Sequence, residues 1–264
     1  MKHDTPEFKA IADNHSILRT QVGSGLHGVA IEGTDDRDEM GIAIEPPQYV
    51  LGLKKFEQYE FRTQPEHARS GAGDLDLTVY SLRKWMRLAL AGNPTVILPL
   101  FAPWSEVMEQ YTTHVGVVLR QFAPDLALSR QCAGRFLGYL NNQRARMMGE
   151  KSQRTNRPEL VEKYGYDTKF AMHGVRLGMQ GLELLRSGVI TLPVVEEDRT
   201  VLMNIRQGVL SKDEVHGLME FYESQIRSAV ATSPLREQPD YQWANTFLED
   251  VYLEHWGYAK MGED

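Results

Sequence analysis

The strongest constraint on the fold is a change of pattern along the chain. The first third is rich in short β-like runs and glycine, and from about residue 125 onward the pattern becomes helical. Alternation of apolar and polar residues is typical of strands, and a period of three to four residues is typical of helices. We therefore expect an α/β domain followed by a helical domain, with the boundary near residues 103–124.

Composition narrows the class of protein. The 264 residues are 42% hydrophobic and 25% charged, which is ordinary for a globular protein with a buried core. No stretch approaches the roughly 18 consecutive apolar residues of a membrane span. The N-terminus lacks the apolar block of a signal peptide, so we expect a cytoplasmic protein without membrane partners. The single cysteine, Cys132, excludes an internal disulfide framework and is interpreted as a buried small residue.

The net charge limits how the chain can bind nucleic acid. At −7 it lacks the overall basic footprint that displaces counterions. A local basic patch is still compatible with the sequence. Its five members are Arg144, Arg146, Lys151, Arg154 and Arg157. These residues either contact RNA or form a solvated helix end and loop.

Three strands are predicted in the first part, at residues 16–22, 39–44 and 74–80. The third alternates strictly, so Leu75, Leu77 and Val79 share one face while Asp74 and Asp76 share the polar face. A helix over 82–91 follows, with Ser81 as its cap. Further helices are predicted at 7–14, 126–149, 159–163, 168–187, 211–231 and 240–258.

The run Gly23-Ser24-Gly25-Leu26-His27-Gly28 matches the glycine fingerprint of dinucleotide-binding folds, a pattern that is weak on its own. A dinucleotide fold continues from that loop into a long crossover helix. Here Gly33-Thr34-Asp35-Asp36 breaks any helix after about two turns. The order of a strand, a Gly-Ser turn and a second strand fits a phosphate-binding turn better.

Gly23 and Ser24 are predicted to hold phosphate oxygens through backbone amides and the Ser24 hydroxyl. Asp36 and Asp38 are two residues apart at a strand start, so they point to the same side and can share magnesium or manganese. A third carboxylate completes a two-metal site. We assign it to Asp76, and Asp74 is a competitor because it shares the phase. The alternative is that the acidic residues form a solvated turn.

A polar row lies on the predicted helix over 168–187. At about 100° per residue, Lys169, His173, Arg176 and Gln180 fall within about 60° of one another, beside an apolar stripe. A cationic row of this kind suggests an anion site. Lys169 and Arg176 are predicted to bind nucleotide phosphates. His173 either joins them or is a structural hydrogen-bonding residue.

These motifs together resemble the predicted nucleotidyltransferases of the DNA polymerase beta superfamily, in the bacterial and phage group associated with RNA repair. The resemblance spans about residues 17–190. Its motifs are Gly23-Ser24 with Gly28, Asp36-Arg37-Asp38 with Gly41, Tyr80-Ser81-Leu82-Arg83-Lys84-Trp85 with Gly92-Asn93-Pro94, and Gly165-Tyr166-Asp167-Thr168-Lys169 with His173 and Arg176-Leu177. Gly25 and Met40 depart from it, since a larger, often basic residue and an arginine are expected there.

The resemblance implies an α+β fold: a mixed-sheet palm, placed at residues 1–115, and a helical domain at residues 116–264 that closes over the nucleotide. It also implies transfer of a nucleoside monophosphate from a nucleoside triphosphate to a hydroxyl. RNA, either tRNA or a broken end, is the expected acceptor. The alternatives are a protein or small-molecule acceptor, or a sensor that binds triphosphate without turnover.

Overall fold

The computed structural model describes residues 3–65, 68–151 and 157–258. The chain forms two compact units. The first consists of Met1–Leu90, Val96–Ala127 and Pro239–Asp264, and the second of Ala91–Thr95 and Leu128–Gln238. The roles assigned above to a palm at 1–115 and a closing domain at 116–264 stay predictions. In the described part of the chain, no helix is long and apolar enough to cross a membrane.

A mixed four-stranded sheet forms the centre of the first unit. Its strands are β1 (Ser16–Val22), β2 (Arg37–Ala43), β3 (Gln58–Arg62) and β4 (Leu75–Ser81), in the order β1-β2-β4-β3. β1 pairs antiparallel with β2, β2 parallel with β4, and β3 antiparallel with β4. The α+β class predicted from the sequence is confirmed, and β3 is an additional strand.

Helices cover the sheet of the first unit. They are α1 (Pro6–Asn14), α2 (Gly23–Leu26), α3 (Pro47–Val50), α4 (Leu82–Leu90), α5 (Leu98–Phe101), α6 (His114–Leu126) and α12 (Tyr241–His255). Single 3₁₀ turns lie at Trp104–Glu106 and Glu109–Tyr111. The predicted cap of α4 is present, because the Ser81 hydroxyl accepts a hydrogen bond from the Lys84 amide at 3.2 Å.

The alternation of β4 divides its residues between the core and the site. Leu77 and Val79 are buried in a cluster with Phe8 and Ile11 of α1 and with Tyr59 of β3. The residues between them point to the other face of the sheet. The polar face carries Asp76, so burial of the apolar face fixes the direction of that carboxylate.

Helices make up the second unit. They are α7 (Cys132–Met147), α8 (Pro158–Tyr164), α9 (Thr168–Ser187), α10 (Glu196–Arg206) and α11 (Lys212–Ala229), with a 3₁₀ turn at Val230–Thr232. α9 has glycines where its neighbours approach. A Cβ on Gly174 would lie 2.4 Å from Met219 of α11, and one on Gly181 would lie 2.9 Å from Phe136 of α7. These glycines let three helices pack closely.

Candidate active site

The Gly-Ser turn begins directly after β1. Gly23 has a φ of +67° and is the first residue of the four-residue helix α2. A Cβ at this position would lie 1.9 Å from the Asp38 Oδ2 atom. Glycine is therefore required at position 23 for two reasons: the backbone is left-handed, and Asp38 approaches too closely for a side chain. Ser24 is only 5% exposed. A helix this short is not the crossover helix of a dinucleotide-binding fold.

Three carboxylates meet where β2 and β4 begin. Asp38 and Asp76 are register partners in the parallel pair, and Asp36 directly precedes β2. One carboxylate oxygen from each lies within 4.8 Å of the others, and all three residues are half-buried. Three hard oxygen donors fit magnesium or manganese. The structure thus brings together the three residues selected from the sequence.

Asp76 is held by side chains that the sequence did not identify. Its Oδ1 atom accepts hydrogen bonds from Arg62 Nε at 3.0 Å and Gln64 Nε2 at 2.8 Å, and its Oδ2 atom accepts one from Ser70 Oγ at 2.9 Å. Partial burial raises the pKa of Asp76, but hydrogen bonds from Arg62, Gln64 and Ser70 outweigh it, and the net pKa is lowered. The carboxylate is therefore charged at neutral pH.

Asp74, the competitor for the third carboxylate, has a different environment. It lies just before β4, where its Oδ1 atom accepts from Thr63 Oγ1 at 2.8 Å and its Oδ2 atom accepts from the Gly71 amide at 3.0 Å. Both contacts stabilise the turn that leads into the strand. Asp74 is outside the cluster formed by Asp36, Asp38 and Asp76.

A cavity of about 340 Å³ lies beside Asp36 and Asp74, and neither Asp38 nor Asp76 lines it. Its lining includes Gln21, Gly25, Asp36 and Arg37. A Cβ on Gly25 would lie 1.8 Å from the Gln21 Nε2 atom. The carboxamide of Gln21 therefore occupies the space that a larger residue at position 25 would enter. A larger residue at position 25 would therefore require the flexible Gln21 side chain to turn away.

A buried ion pair supports the strands beneath the site. Arg19 Nε of β1 donates to Glu39 Oε2 of β2 at 2.8 Å, and Arg37 Nε donates to the Oε1 atom at 2.7 Å. The Arg19 guanidinium also lies 4.5 Å from the centroid of the Tyr111 ring. Glu39 follows Asp38, so its side chain points to the opposite face and holds the two strands together.

The polar row of α9 forms a cationic cluster in the second unit. Arg176 Nη1 donates to Gln180 Oε1 at 2.7 Å. Burial lowers the pKa of Arg176 to about 10. Burial also lowers the pKa of His173 well below its usual value, and the cations of Arg176, Lys169, Arg157 and Arg206 lower it further. His173 is therefore neutral at pH 7, among cations that the sequence identified only in part.

The described members of the proposed basic patch each contact different groups of the protein. Arg144 pairs with Glu223 at 2.7 Å, and Arg157 pairs with the buried Asp167 at 3.4 Å. The Arg146 and Arg157 guanidinium groups lie 5.4 and 5.2 Å from the Phe170 ring centroid. Lys151 Nζ donates to Asn142 at 2.6 Å. Arg154, the fifth predicted member, lies outside the described residues.

A Gly-Ser turn packed against carboxylates on adjacent strands is the arrangement expected of a nucleotidyltransferase. Residues 2–250 match the model of the RNA repair pathway DNA polymerase beta family, and the chain belongs to that family. The protein is accordingly an enzyme, a nucleotidyltransferase of the DNA polymerase beta type linked to RNA repair. The resemblance noted from the sequence is confirmed.

Two other comparisons add little to this assignment. No curated protein matches the sequence. Among solved structures, the chain is similar to a nucleotidyltransferase-like protein from Exiguobacterium sibiricum 255-15. The identity is 10%, the alignment covers 93% of this chain and 77% of that chain, and the TM-score is 0.31.

Proposed function

We propose that the protein transfers a nucleoside monophosphate from a nucleoside triphosphate to a hydroxyl of RNA, with divalent metal ions held by Asp36, Asp38 and Asp76. One observation carries the proposal: these carboxylates converge within 4.8 Å, and Asp38 also packs against Gly23 of the phosphate-binding turn. Magnesium or manganese bound there would neutralise the triphosphate and activate the acceptor hydroxyl.

The reaction is an in-line displacement at the α-phosphorus. The acceptor oxygen forms a bond to that phosphorus, the bond to the bridging oxygen breaks, and pyrophosphate leaves. The amides of the Gly-Ser turn and the Ser24 hydroxyl hold the triphosphate oxygens. Asp76 accepts a hydrogen bond from the attacking hydroxyl and helps to remove its proton.

Lys169, His173 and Arg176 are the proposed nucleotide-binding residues of the second unit. The cations would contact phosphate oxygens, and the neutral His173 would donate or accept a hydrogen bond according to its tautomer. Partial burial of these residues strengthens such contacts because less water screens them. Their assignment rests on the cluster around His173.

RNA is the proposed acceptor because the family is linked to RNA repair. Arg146 and Arg157, which both lie over the Phe170 ring, offer guanidinium groups to a phosphate backbone. Arg144 and Lys151 would add to that surface, together with Arg154. A protein or small-molecule acceptor, and binding without turnover, are outcomes that the following experiment separates from RNA modification.

The test is transfer of α-phosphate label from each of the four ribonucleoside triphosphates, with magnesium, into total RNA and total protein. We expect label in RNA and loss of that label in the Asp36→Ala, Asp38→Ala double variant. Label in protein or in small molecules would instead identify that class of molecule as the acceptor. Nucleotide binding without label in any fraction would contradict turnover and favour a sensor.

A further inference from the structure

Arg62 is a cation beside the carboxylates to which the proposed function gives no part in binding substrate. Arg62 is the last residue of β3 and is the register partner of Asp76 on β4. Its Nε atom donates to Asp76 at 3.0 Å and its Nη2 atom donates to Ser70 Oγ at 2.8 Å. The side chain is 46% exposed. A half-exposed guanidinium is thus fixed next to the third carboxylate while remaining accessible to a ligand.

The strand order places Arg62 on a defined side of the carboxylates. The Gly-Ser turn follows β1, Asp38 lies on β2, Asp76 on β4 and Arg62 on β3, in the sheet order β1-β2-β4-β3. Ser24 and Arg62 are therefore at opposite ends of this row. In an in-line displacement, the attacking hydroxyl and the leaving pyrophosphate lie on opposite sides of the α-phosphorus. If the Gly-Ser turn holds the triphosphate, Arg62 is on the side of the acceptor.

We infer that Arg62 binds the acceptor through a phosphodiester next to the reacting hydroxyl; this inference rests on the proposed function. A guanidinium presents several N–H groups in a plane that fits phosphate oxygens. Asp76 does not depend on Arg62 alone, because Gln64 and Ser70 also donate to it. Arg62 can therefore contact a phosphate while Asp76 remains held. This residue would favour polynucleotide acceptors over uncharged ones.

The test measures two affinities of the full-length protein. One is for a fluorescein-labelled single-stranded RNA of 20 nucleotides, and the other is for the magnesium complexes of the four ribonucleoside triphosphates. We expect Arg62→Ala to weaken RNA binding roughly tenfold. The slope of log RNA affinity against log salt concentration should also be shallower by about one in this variant, because one fewer ion is released on binding. Its triphosphate affinity should match the wild type, and Arg62→Lys should recover part of the RNA affinity.

Two control variants separate this role from general charge and from support of Asp76. Arg87→Ala removes an equal charge from a 62% exposed side chain, which pairs with Glu57 at 3.3 Å. Gln64→Ala removes one hydrogen bond to Asp76 without removing charge or the hydrogen bonds of Arg62 to Asp76 and Ser70. Both controls should retain RNA affinity. Thermal unfolding should show intact folding of Arg62→Ala, since half-exposed ion pairs contribute little stability.

The outcomes are distinct. The inference is overturned if Arg87→Ala or Gln64→Ala weakens RNA binding as much as Arg62→Ala, or if Arg62→Ala weakens only triphosphate binding. A wild-type protein that binds no RNA would also overturn it and would remove RNA as the acceptor. Nucleotidyl transfer itself is contradicted only if the label transfer described above is absent or survives in the Asp36→Ala, Asp38→Ala variant.

Discussion

Asp38 and Asp76 are register partners on adjacent parallel strands, so their carboxylates leave the sheet on the same face. Asp36 brings a third negative charge within 4.8 Å of both. Like charges at this separation repel and raise the free energy of the ionised cluster. A divalent cation would relieve that repulsion, which is why we interpret the arrangement as a metal site and not as a feature that stabilises the fold.

Replacing Gly23 with alanine should abolish nucleotidyl transfer. The new Cβ would lie 1.9 Å from Asp38 Oδ2, so Asp38 must move away from the other carboxylates. Label transfer should fall by about 100-fold or more, as expected when catalytic groups are displaced by about 1 Å.

The matched control for this variant is Gly257→Ala. Gly257 also has a positive φ, of +75°, but a Cβ there meets nothing within 4 Å. This control should lower thermal stability modestly, by about 1 kcal/mol of backbone strain, and keep its activity. Equal activity in Gly23→Ala and Gly257→Ala would contradict the proposed contact between the Gly-Ser turn and Asp38.

Helices and strands were predictable from the sequence where residues at their ends mark the boundaries. The predicted bounds of β1 and α9 match the structure because both have clear boundaries. For α9, Asp167 caps the first turn and Gly188 adopts a φ of +77° after the last. By contrast, α6 contains Pro124 and was missed, as was α10, in which Leu202, Ile205 and Arg206 are the buried residues. In α10 the apolar residues are too sparse to stand out, and in α6 the exposed Val117 and Phe122 blur the period of the buried face.

Residues of the candidate site were predictable where a strand shows clear alternation of apolar and polar residues. Asp76 follows from the alternation of β4, whereas its pairing with Asp38 comes from the structure. Arg62 was not predictable, because β3 has one buried residue, Tyr59, and no clear alternation. Gln64 and Ser70 reach Asp76 only through the path of the connection between β3 and β4. Such contacts depend on tertiary structure, not on sequence spacing.

Glu45 should make stability depend on pH. This carboxyl group is fully buried, and burial raises its pKa, while a hydrogen bond from Tyr252 partly offsets the effect. The folded-state pKa of Glu45 is thus above the ordinary value of 4.5. The stability that the protonated carboxyl group contributes is therefore fully present below that ordinary value. It is lost as pH rises through the folded-state pKa.

A Glu45→Gln variant removes this titration. Its melting temperature should rise relative to the wild type as pH increases from 4 to about 7. Thermal unfolding at several pH values measures the difference. A constant difference between Glu45→Gln and the wild type across that range would contradict the assignment of a raised pKa to Glu45.

His173 should report on anion binding by α9. Burial and neighbouring cations lower its pKa, so a bound polyanion that offsets those cations should raise it. The measurement is an NMR titration of the imidazole with and without inorganic tripolyphosphate, against sodium chloride at equal ionic strength. A pKa that tripolyphosphate does not change would contradict an anion site at Lys169, His173 and Arg176.

The most direct test of the central claim is manganese binding, measured by electron paramagnetic resonance in the presence of a ribonucleoside triphosphate. The matched variants are Asp38→Asn, Asp76→Asn and Asp74→Asn. We predict that the first two lose most of the manganese bound by the wild type, while Asp74→Asn retains it because Asp74 is bonded within its turn. Equal binding by all three variants, or loss only in Asp74→Asn, would contradict a metal site formed by Asp36, Asp38 and Asp76.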